Sequence, residues 1–368
     1  MESMVNEEFW RDRRVLVTGH TGFKGGWLSL WLDMLGAKLS GLALAPIADG
    51  IFATGGLQQS MHSVLGDIRD FSVVEKVLGE TSPEIVFHLA AQPIVRDSYA
   101  QPLETYATNV MGTAHVLEAI RRTPSVRAVV VVTTDKCYEN RDWEWGYREN
   151  DRLGGADPYS NSKACAELVT AAYRASFFTN NATDPKVAVA TARAGNVIGG
   201  GDWCKDRLVP DLVRSATQGR APEIRNPSAI RPWQYVLEPL RGYIMLAEQL
   251  AGDHAPEFAS AWNFGPNDAD AKPVDWVVKK FLANWGTGND WASQPGDHPH
   301  EAHWLKLDSS KSASLLGWRP AIGLEEALRS TTEWYRRARS GQDMRHFSKD
   351  QILNYSTRVR EVHTLASA

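Results

Sequence analysis

A doubly wound α/β fold, built on a parallel sheet and completed by a smaller C-terminal substrate-binding domain, is the architecture this sequence predicts. Three observations carry that reading. Short apolar runs alternate with helical segments through the first half of the chain, the pattern of successive βα units. The first run, Arg14-Val-Leu-Val-Thr18, leads directly into Gly19, Gly22 and Gly25, a glycine turn of the Rossmann type. After Arg193 the rhythm breaks, with Gly199-Gly-Gly201, scattered prolines and helices that lack regular strands between them.

Each element follows from its own residues. Arg14–Thr18 is a short buried strand, Gly26–Leu35 a helix closed by Gly36, and Lys38–Ala45 a second strand broken at Pro46. Val64 leads into Gly66-Asp67-Ile68, and Phe71–Leu78 is helical. Glu84–Ala91 is a further buried strand, Ala107–Arg122 a helix and Ala128–Thr133 a strand. Pro158 opens a helix that carries Tyr159 and Lys163 to about Phe177, and Val187–Arg193 is the next strand. Leu208–Gln218 and Pro239–Leu250 are helices, and one more sheet strand falls near Trp262–Gly265. Residues 9–193 therefore form the nucleotide-binding domain, with 230–265 adding back to it. The segments 194–229 and 266–355 form the substrate domain, and the stretch after Asp343 reads as a surface extension.

At 368 residues the chain suits two domains and buries a large core without staples. A net charge of -4 and an isoelectric point near 6.2 leave no basic footprint for nucleic acid. Cys137, Cys165 and Cys204 are scattered, with no metal spacing, as suits a reducing compartment. The acidic, polar first residues do not resemble a signal peptide, and no apolar run reaches membrane-spanning length. The expectation is a soluble cytoplasmic protein that binds neither nucleic acid nor membrane.

The glycine turn lets backbone approach a pyrophosphate, whose charge meets the N-terminus of the following helix. Leu42–Ala48 offers neither a carboxylate for a ribose hydroxyl nor a cation for a 2′-phosphate, so NAD and NADP both stay open. Asp67 is either an adenine contact or a turn and cap residue. Further along, Tyr159 and Lys163 stand four apart on one helix face. An ammonium near a phenol favours phenolate and makes it a base. Thr134 stands at the carboxyl end of the preceding strand, followed by Asp135 and Lys136. An acid and an amine beside a phenol base point to more than hydride transfer.

Thr18-Gly19-x-x-Gly22-Phe23-x-Gly25, His88-Leu-Ala-Ala91, Asn109 and Tyr159-x-x-x-Lys163 resemble the extended short-chain dehydrogenase/reductase family. Longer strings are similar to its nucleotide-sugar dehydratases that act on CDP-D-glucose. These are Gly19-His-Thr-Gly-Phe-Lys-Gly-Gly-Trp, Thr134-Asp-Lys-Cys-Tyr138, Trp145-Gly-Tyr-Arg-Glu-Asn150, Ile230-Arg-Pro-Trp-Gln234, Trp262–Asp270 and His298–His303. The likeness runs from about Phe9 to Tyr355.

That resemblance implies tightly held NAD, contacted by Gly19, Thr21, Gly22, Phe23, Gly25, Asp67 and Ile68. Leu89, Ala90, Ala91, Asn109, Thr133, Tyr159 and Lys163 are implied on the same cofactor. The implied reaction oxidises C4 of CDP-glucose, eliminates water across C5 and C6, and returns the hydride to C6, in deoxysugar and lipopolysaccharide biosynthesis. Thr134, Asp135, Lys136, Tyr159 and Lys163 are the implied catalytic residues. Asp135 supplies the proton for the departing hydroxyl, and Lys136 removes the C5 proton. Relatives acting on dTDP-glucose look to have glutamate at the latter position, so Lys136 either is the base or pairs with Asp135 or a phosphate.

Arg231 and Asn196 match substrate contacts of the family, and Arg96 follows the fourth strand where ligands gather. Arg207 and Arg225 are either pyrophosphate contacts or surface charges. Glu301 lies in the His298–His303 segment, which matches a nucleotide contact; no metal is expected there. The Ala107–Arg122 and Tyr159–Phe177 helices imply a homodimer or homotetramer. A 4-epimerase, a dehydratase of another nucleotide hexose and a cofactor-binding regulator are the competing readings.

Overall fold

The computed structural model describes residues 4–178, 187–288, 290–293 and 305–367. Six strands follow the predicted order: β1 (Arg14–Thr18), β2 (Lys38–Ala43), β3 (His62–Leu65), β4 (Ile85–His88), β5 (Ala128–Val132) and β6 (Ala188–Arg193). A seventh, Ala261–Asn263, joins the edge beside β6. The sheet is parallel throughout, with β1 paired to β2 on one side and to β4 on the other. Strand order therefore reverses between β1 and β4, where open α/β sheets leave a crevice at their carboxyl ends.

Alternation of side chains divides the core between two faces. Leu16, Val86, Val129 and Val131 pack on one face with residues of the helices Phe71–Thr81 and Gly112–Arg121. Val15, Val17, Ile85, Phe87 and Val130 pack on the other with Trp27 and Leu28 of the first long helix, Phe23–Met34, and with Leu240 and Ile244 of Leu237–Leu250. β5 is buried along its whole length, as its unbroken Val run requires of a strand covered on both faces.

The helix Pro158–Tyr173 starts where Asp157 Oδ1 accepts the Ser160 N–H at 2.9 Å and Pro158 takes the first turn. Both are strong start signals, and they place Tyr159 and Lys163 beside the end of β5. Past β6, three two-stranded ribbons replace regular βα units. Val197–Ile198 pairs with Gln234–Tyr235, Ile230–Pro232 with Ala271–Pro273, and Glu223–Ile224 with Ala292–Ser293. Among the described residues no helix is long and apolar enough to cross a membrane.

The final stretch corrects the expectation of a surface extension. Met344–Ser367 is one long helix whose Met344, Ile352, Tyr355 and Val359 are buried in the main core. The spacing 352, 355, 359 is that of a helix face laid on a core. Tyr355 donates to Glu238 Oε2 at 2.6 Å, receives Arg241 Nε at 3.1 Å, and meets Trp31 edge to face. Glu238 Oε1 accepts the N–H groups of Ala321 and Ile322 at 2.8 and 2.9 Å. The C-terminal helix thus covers a buried carboxylate that is otherwise one partner short. Tyr355→Ala should lower unfolding free energy by about 3–5 kcal/mol in denaturant titration, through a cavity and a lost partner. A loss below about 1 kcal/mol would restore the picture of a surface extension.

Candidate active site

The carboxyl ends of β1, β4, β5 and β6 open into one cavity of about 1420 Å³, large enough for two ligands. The predicted cofactor residues Gly19, Thr21, Gly22, Phe23, Gly25, Asp67 and Ile68 stand on its wall, as do Leu89, Ala90, Ala91 and Thr133. So do Thr134, Asp135, Lys136, Tyr159 and Lys163. Arg96, Asn196, Arg207, Arg225 and Arg231 line the remainder. Asn109 is the exception. It is 1% exposed and braces the wall from behind, accepting the Gln92 N–H at 2.8 Å and donating to Ser162 Oγ at 2.9 Å. Glu301 and the histidines 298, 300 and 303 lie outside the described residues. Among the described residues no group of three or more His, Cys, Asp or Glu side chains is placed to hold a metal ion.

The glycine turn fits a dinucleotide. Gly19 has φ +75°, and a Cβ there would stand 2.7 Å from the Ala90 nitrogen, so backbone closes against backbone. The helix Phe23–Met34 then aims its N-terminus into the cavity, where its free N–H groups favour an anion. Asp67 takes the turn role left open by its position, accepting the Arg69 N–H at 2.9 Å and pairing with its guanidinium, which holds the carboxyl below its usual range. Lys24 had no assigned role, although a cation inside a glycine turn was a visible signal. Burial pulls its pKa down to about 7, and the neighbouring charges of Arg207 and Lys163 act the same way.

The acid–base groups follow β5 directly. Thr134 Oγ1 donates to Asp135 Oδ1 at 3.0 Å, and its hydroxyl favours the phenolate of Tyr159. Asp135 is 3% exposed, and its Oδ2 has no hydrogen-bond partner. Gly195 makes this possible, since a Cβ at that position would overlap Asp135 Oδ2. Burial raises the Asp135 pKa, against the charges of Lys136 and Arg231. Lys136 is half-buried on the same wall.

One expectation about Tyr159 is corrected. Burial pushes the phenol up to about 12, opposed by the Thr134 hydrogen bond and by the charge of Arg207. Lys163 is not what lowers it here. Its ammonium donates to the Val132 carbonyl at 3.2 Å, and burial brings its own pKa down to about 8. In this arrangement desolvation outweighs the ammonium.

The arginines divide by partner. Arg207 pairs with Asp202 at 2.8 Å, whereas Arg96 and Arg225 both pair with Asp206, at 3.3 and 3.5 Å. Arg207 is therefore a wall charge close to the phenol rather than a surface ornament.

The family model described as GDP-mannose 4,6 dehydratase matches residues 16–331. CDP-glucose 4,6-dehydratase of Salmonella typhimurium is 53% identical over 354 residues, 96% of this chain and 98% of that protein. Among solved structures, MoeE5 in complex with UDP-glucose and NAD superposes with a TM-score of 0.73 at 26% identity, covering 88% of this chain and 99% of its own. DesIV, the dTDP-glucose 4,6-dehydratase of Streptomyces venezuelae, shares the fold with a TM-score of 0.76 at 24% identity, over 89% of this chain and 98% of that one. With the family model matched over most of the chain and a relative at 53% identity, this chain belongs to the GDP-mannose 4,6 dehydratase family.

Proposed function

We propose that the protein converts CDP-D-glucose to CDP-4-keto-6-deoxy-D-glucose and water, with NAD as its cofactor, for deoxysugar biosynthesis. The observation that carries the reading is Asp135, a buried carboxyl with a raised pKa and one unpartnered oxygen on the wall that also holds Tyr159. Burial favours the protonated form of such a group, which is the form with a proton to give. A 4-epimerase has no use for it. The relative at 53% identity, named for CDP-glucose, supports the choice of sugar nucleotide.

The bound nicotinamide would accept hydride from C4 and return it to C6. Tyr159 takes the proton from the C4 hydroxyl, and the resulting 4-keto group acidifies C5–H. Lys136 removes that proton and later restores it to C5. Asp135 protonates the C6 hydroxyl, which leaves as water. The proton gained by Tyr159 and the one given up by Asp135 balance, so one must replace the other before the next turnover. Arg231, Arg207 and Asn196 face the substrate pyrophosphate and sugar.

The chain is also proposed to act as a homodimer in the cytoplasm, where its three free cysteines suit a reducing medium. Leu103, Met111 and Leu168 are 84%, 52% and 58% exposed along adjoining helices, a face that a second copy would cover.

Three measurements test these readings. Turnover of CDP-glucose should exceed that of dTDP-, UDP- and GDP-glucose, read by the alkali absorbance of a 4-keto-6-deoxy product; no turnover of any of them would overturn the assignment. Rising pH should speed C4 oxidation, because Tyr159 must lose a proton to act as base. Stopped-flow absorbance should show reduced nicotinamide forming faster at alkaline pH, and a formation rate independent of pH would contradict the role. Finally, Met111→Glu combined with Leu168→Glu should convert a dimer to a monomer in sedimentation velocity.

A further inference from the structure

A deeply buried charged pair lies outside the acid–base groups. Glu167 and Arg193 are each 3% exposed and pair at 2.8 Å, with a second parallel contact from Arg193 Nε at 2.9 Å. Glu167 also accepts Thr133 Oγ1 at 2.5 Å and Thr191 Oγ1 at 2.6 Å. Arg193 spends its remaining donor NH1 on the Tyr138 hydroxyl at 2.6 Å and on the Glu149 carbonyl at 3.1 Å, and its guanidinium lies 4.8 Å over the Tyr138 ring. Tyr138 in turn donates to Asn263 Oδ1 at 2.8 Å. Burying two charges costs several kcal/mol per ion before their attraction repays it, so such a pair is poor insurance for stability alone.

Its placement suggests what it is for. Thr133 immediately precedes Thr134-Asp135-Lys136, and Tyr138 closes the short turn that follows. Glu167 stands one helical turn beyond Lys163 and two beyond Tyr159, on the same helix face. One carboxylate and one guanidinium therefore tie the strand end, the turn and the phenol helix to a common point.

We propose that the buried Glu167–Arg193 pair is a positioning device for the acid–base tripeptide, Glu167 holding its entry through Thr133 and Arg193 its exit through Tyr138. Neither Glu167 nor Arg193 lines the cavity; they act on Asp135 and Lys136 through Thr133 and Tyr138, which do. Misplacement of about 1 Å at a catalytic group is enough to cost about a hundredfold. Oxidation at C4, which uses Tyr159 on its own helix, tolerates that error better than elimination, which needs Asp135 and Lys136 together. The inference rests on the dehydratase reading above.

The test is the partition between the two half-reactions in a single turnover. Tyr138→Phe removes one hydroxyl and keeps the ring under Arg193. Thr133→Val removes the other tie, and Thr133→Ser restores it. Bound cofactor and melting temperature are measured in parallel. Tyr138→Phe and Thr133→Val should lower C5 exchange with solvent about tenfold or more and let reduced nicotinamide accumulate, with KM little changed and Thr133→Ser close to the parent. Equal loss of oxidation and elimination, or wild-type partition in both variants, would overturn the positioning role. Asp135→Asn distinguishes the levels. If it still dehydrates, the acid role of Asp135 falls and the clamp with it, while the dehydratase reading stands; if it stalls after oxidation while the two variants behave as the parent, only the clamp falls; if the parent itself yields no 4-keto-6-deoxy product, the function reading falls.

Discussion

β5 is buried from Ala128 to Val132 and carries its chemistry only where the chain leaves the sheet. Thr133 is its first polar residue, and the hydroxyl, acid and amine follow within three residues. The same rule places the glycine turn at the end of β1 and the Leu89–Ala91 wall at the end of β4. Because strand order reverses between β1 and β4, the three ends surround a single crevice. The rest of the molecule is arranged around keeping that crevice dry, charged and rigid.

Desolvation is the dominant electrostatic influence inside it. It raises Asp135 and Tyr159 and lowers Lys24 and Lys163, in each case ahead of any single neighbouring charge. That direction suits the acid role proposed for Asp135 and opposes the base role proposed for Tyr159, where Arg207 and the Thr134 hydroxyl act against it. The contrast explains why one wall carries an acid and a base of opposite demand: burial serves the first, and local donors and cations serve the second.

Two buried carboxylates tie distant segments together, Glu167 accepting four hydrogen bonds and Glu238 three. Glu167 gathers β5, β6 and the phenol helix beneath the site. Glu238, far along the chain, gathers the Ala321–Ile322 turn and the C-terminal helix behind it. Each is joined to an arginine, so neither leaves an isolated charge in the interior.

Much of this was legible in the residues themselves. Strand-length apolar runs, the glycine spacing after the first of them and the Tyr159–Lys163 interval are local patterns, and they determine a parallel sheet, a dinucleotide turn and a shared helix face without reference to anything distant. The position of Asp135 and Lys136 after β5 was local in the same way. What no local pattern contains is which remote residue comes to stand against each of these groups. The clearance that Gly195 gives Asp135, the turn of Lys163 toward the Val132 carbonyl, the pairing of Arg96 and Arg225 with one aspartate, the withdrawal of Asn109 behind the wall and the burial of the C-terminal helix against Glu238 all join residues far apart in the chain. Burial and partner charge shift the pKa of a group, and both are properties of the packed interior; composition and spacing decided which chemistry was on offer, and only the tertiary structure decided in which direction each group is shifted.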